Sequence, residues 1–285
     1  MAICKQKISS TENCDREEYK DGLCIIHHNS DDKPDGLFRR IIRDDIYRGY
    51  YNFSYMISYE GFSFESLKID KNTNLLFQNS LFYGPFQMKN FNLFSSLDFT
   101  NSNFESGLFI TMSNVYKEII MKDSKINIDF DMSLSNLYSI DIDNMKVNCN
   151  FNISNTDIID KLMLNHIHFQ NNLSFLNTSL QGDADFKNII VEGNADFRNM
   201  IFYKSLKFEN VEIKGKTIPE EIIKNDNIEF VNVLINGTVI ENNQKDKKEK
   251  DKKESQLEKI KEAKDKMYKE TLLNDKYSQK NKSSK

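Results

Sequence analysis

No uninterrupted stretch of about 18 apolar residues occurs anywhere in the chain, so a membrane-spanning helix is not expected. The first thirty residues also lack the apolar run of a signal peptide, and the expected setting is the cytoplasm. Cysteine is scarce, with four residues, three of them within the first 24. That clustering suits a metal site in a reducing compartment better than a disulfide framework. No Gly-rich phosphate loop, no Ser-His-Asp spacing and no carboxylate pair in a pocket-forming context is present. No catalytic residues are therefore expected, and no cofactor site apart from a metal. The formal net charge of −4 hides a segregation. Residues 51–240 carry 15 Lys/Arg against 23 Asp/Glu, whereas residues 242–285 carry 15 against 9. A mildly acidic body with a basic tail is not the composition of a nucleic-acid binder.

What is present is a repeat. From Leu75 to Lys216 the chain returns to the same pattern every eleven residues, ending in ADFKNIIVEGN, ADFRNMIFYKS and LKFENVEIKGK. The central apolar residue of each unit runs from Phe77, Met88 and Phe99 through to Phe186, Phe197 and Phe208. A second apolar residue follows five positions later (Phe82, Leu93, Phe104 and on to Ile213), and a third precedes by two (Leu75, Phe86, Leu97 and on to Leu206). Over thirteen units these three columns are apolar without exception, in a chain only 39% hydrophobic. A fixed period of this kind signifies a solenoid. Offsets of −2, 0 and +5 with polar residues between them follow a strand period, not a helical one. Phe186, Phe197 and Phe208 are expected to stack in one internal column. Two positions after the centre stands Asn in nine of the thirteen units, Asn79, Asn101 and Asn210 among them. Asn tolerates the left-handed conformation and bonds its own backbone, so it suits a sharp corner. Stacked corner amides are also expected to form ladders.

Ala184–Phe186 and Ala195–Phe197 read ADF, and Leu97–Phe99 reads LDF. This pattern resembles the pentapeptide-repeat family, in its Phe-rich eleven-residue variant, over roughly residues 51–216. The resemblance implies an all-β, right-handed quadrilateral β-helix with two eleven-residue units per turn. At about 4.8 Å per turn the rod is roughly 40 Å long. Two slips break the period: a two-residue insertion around Asp70–Asn74, and a ten-residue step from Met132 to Ile142. Slips of this sort are expected in corners or loops.

The flanks divide the remainder. Residues 1–30 form a Cys/His module, and Asn29–Asp35 is a linker by composition. Leu37, Phe38, Ile41, Ile42 and Ile46 recur at helical spacing, predicting an amphipathic cap helix over 36–50. The solenoid is expected over 51–240, its closing cap containing the apolar run VNVLING. Residues 241–285 are a charged low-complexity tail, a solvated helix or a disordered segment, with too few apolar residues for a core.

Cys4, Cys14, Cys24 and either His27 or His28 supply three thiolates and one imidazole, a complete tetrahedral zinc set with no open position for catalysis. The segment CDREEYKDGLCIIHH, Cys14–His28, resembles short Cys₃His zinc-knuckle modules that read C-D-R, an aromatic, Gly-Leu-Cys, two residues, His. That resemblance implies Cys14, Cys24 and His27 as ligands, Cys4 as the fourth, and His28 as the alternative to His27. His166, in the corner-Asn column, and His168 are expected to be surface decoration, and Cys149 a free thiol in a corner.

Function is then expected from the faces of the rod: a non-catalytic protein-interaction scaffold whose open end also offers a homodimer interface. One alternative is a duplex-DNA mimic acting on a type II topoisomerase, as some pentapeptide-repeat proteins do. Mimicry needs a dense acidic face, whereas the outward columns mix Lys89, Lys122, Lys146, Lys187, Arg198 and Lys207 with the Asp residues. Another is a nucleic-acid or membrane tether built from the zinc module and the Lys-rich tail, but the Glu-interleaved tail reads as a solvated charge run.

Overall fold

In the computed structural model, residues 2–34, 36–64, 67, 69, 73–218 and 228–240 are described. The tail expected over 241–285 lies outside them. The chain is an all-β solenoid of about seven turns with a single short helix, Leu37–Tyr47, among the described residues. No helix among the described residues is long and apolar enough to cross a membrane.

Strand pairing sets the length of a turn. Leu97 pairs with Ile119, Leu164 with Phe186 and Phe186 with Phe208, all in parallel and each 22 residues apart. Two eleven-residue units therefore make one turn. This spacing separates the central residues into two internal columns, one per half-turn, and corrects the single column expected for Phe186, Phe197 and Phe208. Phe186 and Phe208 have ring centroids 4.8 Å apart, but Phe197 stacks on Phe175 at 5.8 Å, 9° from parallel. Phe197 meets Phe208 only edge-on across the interior, at 6.0 Å and 84°. Offset stacks along each column and T-shaped contacts between columns are the favoured aromatic geometries.

The corners follow from the residue two positions after the centre. From Asn79 to Asn210, each unit places that residue at φ between 50° and 58°, including Met112, Asp123, Leu134 and His166 where Asn is replaced. Asn side chains stack there as expected: the Nδ2 of Asn101 donates to Asn79 at 2.6 Å, and Asn199 to Asn177 to Asn155 at 2.8 Å each. One position further on, small hydroxyl residues point inward. Ser102 and Ser124 donate to the Phe77 and Phe99 carbonyls, and Thr178 to that of Ile153, at 2.7–2.8 Å. A buried hydroxyl costs free energy unless bonded, and these bond the preceding coil at its corner.

Both slips are seen as changes of strand register. Phe62 pairs with Phe86 at a separation of 24, but Asn74 with Ser96 at 22, so two additional residues lie between Ser63 and Asn74. The missing residue sits in the corner after Leu137. Leu137 pairs with Val115, and the register then shifts so that Ser139 pairs with Glu118.

At the far end the strands Val233–Ile235 and Thr238–Ile240 pair antiparallel through a turn at Asn236 and Gly237, both with positive φ. Asn-Gly is the preferred two-residue hairpin turn. The hairpin folds the last parallel strand back on itself and occupies its edge. At the near end, Phe38, Ile42 and Ile46 of the helix and Cys4, Cys14, Cys24, Ile25 and Ile26 join the same continuous core as the coils. Asn29–Asp35, a linker by composition, is packed in part. Lys33 is buried, its Nζ donating to the Ile57 carbonyl at 2.6 Å and lying 5.1 Å over the Phe38 ring.

Candidate metal centre

Residues 2–28 fold as two tight reversals and one helical turn. Lys7 and Asn13 form an antiparallel bridge, and the Ser9 hydroxyl accepts the Glu12 amide at 3.0 Å. The nine residues between Cys4 and Cys14 are thus a hairpin-like loop that returns Cys14 beside Cys4. A second reversal, Lys20 against Leu23, turns at Asp21 and Gly22, both with positive φ. After it, the amides of His27 and His28 donate to the Cys24 carbonyl at 3.1 and 2.9 Å. That single turn carries His27 back over Cys24.

The result is a buried cluster of Cys4, Cys14, Cys24 and His27 whose ligand atoms all lie within 4.8 Å of one another. His27 Nδ1 lies 3.4 Å from the sulfurs of both Cys4 and Cys24, and the Cys14 and Cys24 sulfurs are 3.8 Å apart. Tetrahedral zinc with Zn–S near 2.3 Å and Zn–N near 2.0 Å requires S–S separations of about 3.8 Å and S–N of about 3.5 Å. The four side chains fit that demand and lie close enough together to hold a metal ion.

His27 Nε2 lies 3.0 Å from the carbonyl oxygen of Ser54. A carbonyl only accepts, so Nε2 carries the proton and Nδ1 presents its lone pair to the sulfurs, the arrangement metal-bound histidines use. His28 points elsewhere: its Nε2 lies 3.3 Å from Asp21, and its ring meets Tyr19 edge-on at 5.7 Å. Of the two histidines read as candidates, the structure brings only His27 to the cysteines.

Hydrogen bonding within the cluster favours the thiolate at Cys14. The hydrogen bond from Cys24 holds the Cys14 thiol well below its ordinary range, against the effect of burial, and His27 acts in the same direction. The same contact, together with burial, pushes Cys24 up. Arg16 reaches Cys14 Sγ at 3.7 Å through Nη1 and bonds Asp45 of the helix at 2.7 Å through Nε. Arg16 is the third residue of the C-D-R stretch, but only the packing reveals its role. The remaining candidates stay apart from the cluster. His166 lies 3.0 Å from Asp143 and His168 2.9 Å from Glu192, both on the outside of the coils. Cys149 is a buried free cysteine whose thiol burial pushes up to about 12, which suppresses thiolate chemistry. No protein-family model, curated protein or solved structure matches the chain.

Proposed function

We propose that this protein is a non-catalytic interaction scaffold, a solenoid of the pentapeptide-repeat kind whose N-terminal module holds one structural zinc through Cys4, Cys14, Cys24 and His27. Three thiolates and one imidazole fill a tetrahedral shell and leave no position for substrate, which favours a structural over a catalytic ion. Thiolate ligands also favour zinc over hard cations and suit a reducing, cytoplasmic setting.

The observation that carries the scaffold reading is a ladder of exposed and half-buried apolar side chains along one face. Phe94, Tyr116, Tyr138, Ile159 and Tyr203 each follow an inward residue of successive paired strands (Leu93, Val115, Leu137, Ile158 and Phe202), with Gln181 interrupting. Phe94 and Tyr116 stack at 4.5 Å, and Tyr116, Tyr138, Ile159 and Tyr203 are all exposed. Met112 and Leu134, at the adjoining corner, are exposed as well. The equivalent positions of the other half-turn are Tyr83, Glu105, Asn127, Asn148, Gln170, Glu192 and Lys214, apolar only at Tyr83, which stacks on Tyr59 at 4.4 Å. An apolar stripe continued over several coils, with Tyr as its main component and a largely polar column opposite, is the composition of a protein-binding surface. A photo-crosslinking amino acid at Tyr138 should yield protein adducts in cells, and the same group at Asn148 should not. Adducts at neither position, or equally at both, would remove this assignment.

A further inference from the structure

The N-terminal module does more than fold around its own ligands, because its groups occupy the open edge of the first coil. The Ile57 amide donates to the Ile26 carbonyl at 2.9 Å. The Ser54 carbonyl accepts from His27, the Ile57 carbonyl from Lys33, and the Asn52 carbonyl from Arg16 at 3.3 Å. Three acceptors and one donor of the first coil are thus satisfied by four residues of the segment before the helix. On its other side this coil is already paired with the next, through Leu76, Leu81 and Tyr83 donating to Tyr51, Met56 and Ser58.

Two of those four residues depend on the metal centre. His27 is a ligand through Nδ1 and an edge donor through Nε2. Arg16 contacts Cys14 and extends from there both to Asp45 on the helix and to the first coil, lying 5.6 Å over the Phe53 ring. Ile26 is the residue before His27, so its carbonyl is held by the same turn. A module of some thirty residues has too little core to hold this geometry without its metal. An unprotected strand edge pairs with whatever matching edge it meets, and in a solution of this protein that is the same edge of another molecule.

We infer that the metal is the keystone of the solenoid's N-terminal cap, and that its loss frees the first coil's edge to pair with a second copy of this chain. This inference rests on the zinc reading above. The full-length protein, purified reduced with zinc, would be followed by elemental analysis, amide hydrogen exchange and sedimentation before and after chelation. The expected result is loss of about one zinc per chain and exchange at Ile57 faster by about tenfold or more. Protection from Phe151 to Phe169 should be unchanged, and a concentration-dependent dimer should appear. Cys14→Ser should reproduce this without chelator, and His28→Ala should remain zinc-bound and monomeric. Zinc removal with Ile57 protection and the monomer both intact would overturn the keystone while leaving the zinc site standing. Dimer formation with Ile57 still protected would place the self-association elsewhere and overturn it too. A reduced protein that never holds zinc would remove both readings.

Discussion

Gly182 runs so close beneath Asp160 that a Cβ on the glycine would lie 1.1 Å from the Asp160 carbonyl oxygen. The neighbour is backbone, which cannot swing aside, and the two residues occupy equivalent corners of adjacent coils. Gly182 has an ordinary negative φ, so its requirement is close approach and not conformational freedom. Gly182→Ala should therefore cost about 3 kcal/mol, the upper end of overpacking penalties, with loss of local coil protection. Gln181→Ala, one residue away and exposed, should leave the thermal midpoint unchanged. Urea denaturation of the two variants makes the comparison.

Leu134 and Met112 hold the left-handed corner conformation, at φ 58° and 52°, without the side chain that favours it. Both are also exposed, so neither residue contributes much burial in return. Leu134→Asn should stabilise the protein by about 1 kcal/mol by relieving this strain, and would place an amide in register with Asn155. A rise of a few degrees in the melting temperature is expected.

The inward and outward positions are separated by one residue at Phe197 and Arg198. Phe197→Asp would bury a carboxylate with no partner and should unfold the adjoining coils. Arg198→Asp, on an exposed side chain, should be nearly silent even though it breaks the pair with Asp196. Phe186→Ala should cost about 3–5 kcal/mol, because its ring fills a column between Leu164 and Phe208. Hydrogen exchange and thermal melts of the three variants test the assignment.

The two adjacent histidines should separate in a metal titration. His27→Ala removes both the proposed nitrogen ligand and the donor to Ser54, and should lower zinc affinity by well over tenfold. His28→Ala removes only a bond to the exposed Asp21, and its zinc content should match wild type. Competition with a chromophoric chelator gives both affinities.

Lys33 makes the stability depend on alkaline pH. Burial holds its ammonium down to about 8, against an ordinary value of 10.5. Between about pH 8 and 10.5 the unfolded chain retains a proton that the folded chain has released, so this residue makes stability rise with pH across that window. Lys33→Met should flatten that contribution. The difference in melting temperature between wild type and variant, measured at pH 8 and again at pH 10, isolates Lys33 from the other titrating groups.

The periodic part of this protein was legible without a structure, because each unit repeats the same local physics. Apolar residues at fixed offsets must face one interior, and Asn at a fixed offset marks where the backbone turns left-handed. A chain carrying that pattern thirteen times has few ways to satisfy it besides coiling. The helix Leu37–Tyr47 was legible for the same reason, from the spacing of Phe38, Ile42 and Ile46 alone. The four candidate metal ligands could be chosen by residue type, with His27 favoured by the Cys24-x-x-His27 spacing and His28 left as the alternative; the structure adds that Ser54 holds one ring and Asp21 the other. The family resemblance implies two units per turn, yet period eleven alone places Phe186, Phe197 and Phe208 in one column. Strand pairing at 22 residues sends Phe197 to the column opposite Phe186. The apolar stripe from Phe94 to Tyr203 likewise follows from the pairing of alternate units, which merges them into one face. Lys33 carries no signal in the sequence and Arg16 is marked only by the C-D-R stretch, without its partners, because a long polar side chain reaches its partner through space and leaves no spacing in the sequence. Short-range periodicity determined the solenoid; the stacking of coils and the docking of the N-terminal module, which join residues 20 to 40 positions apart, were decided by tertiary packing.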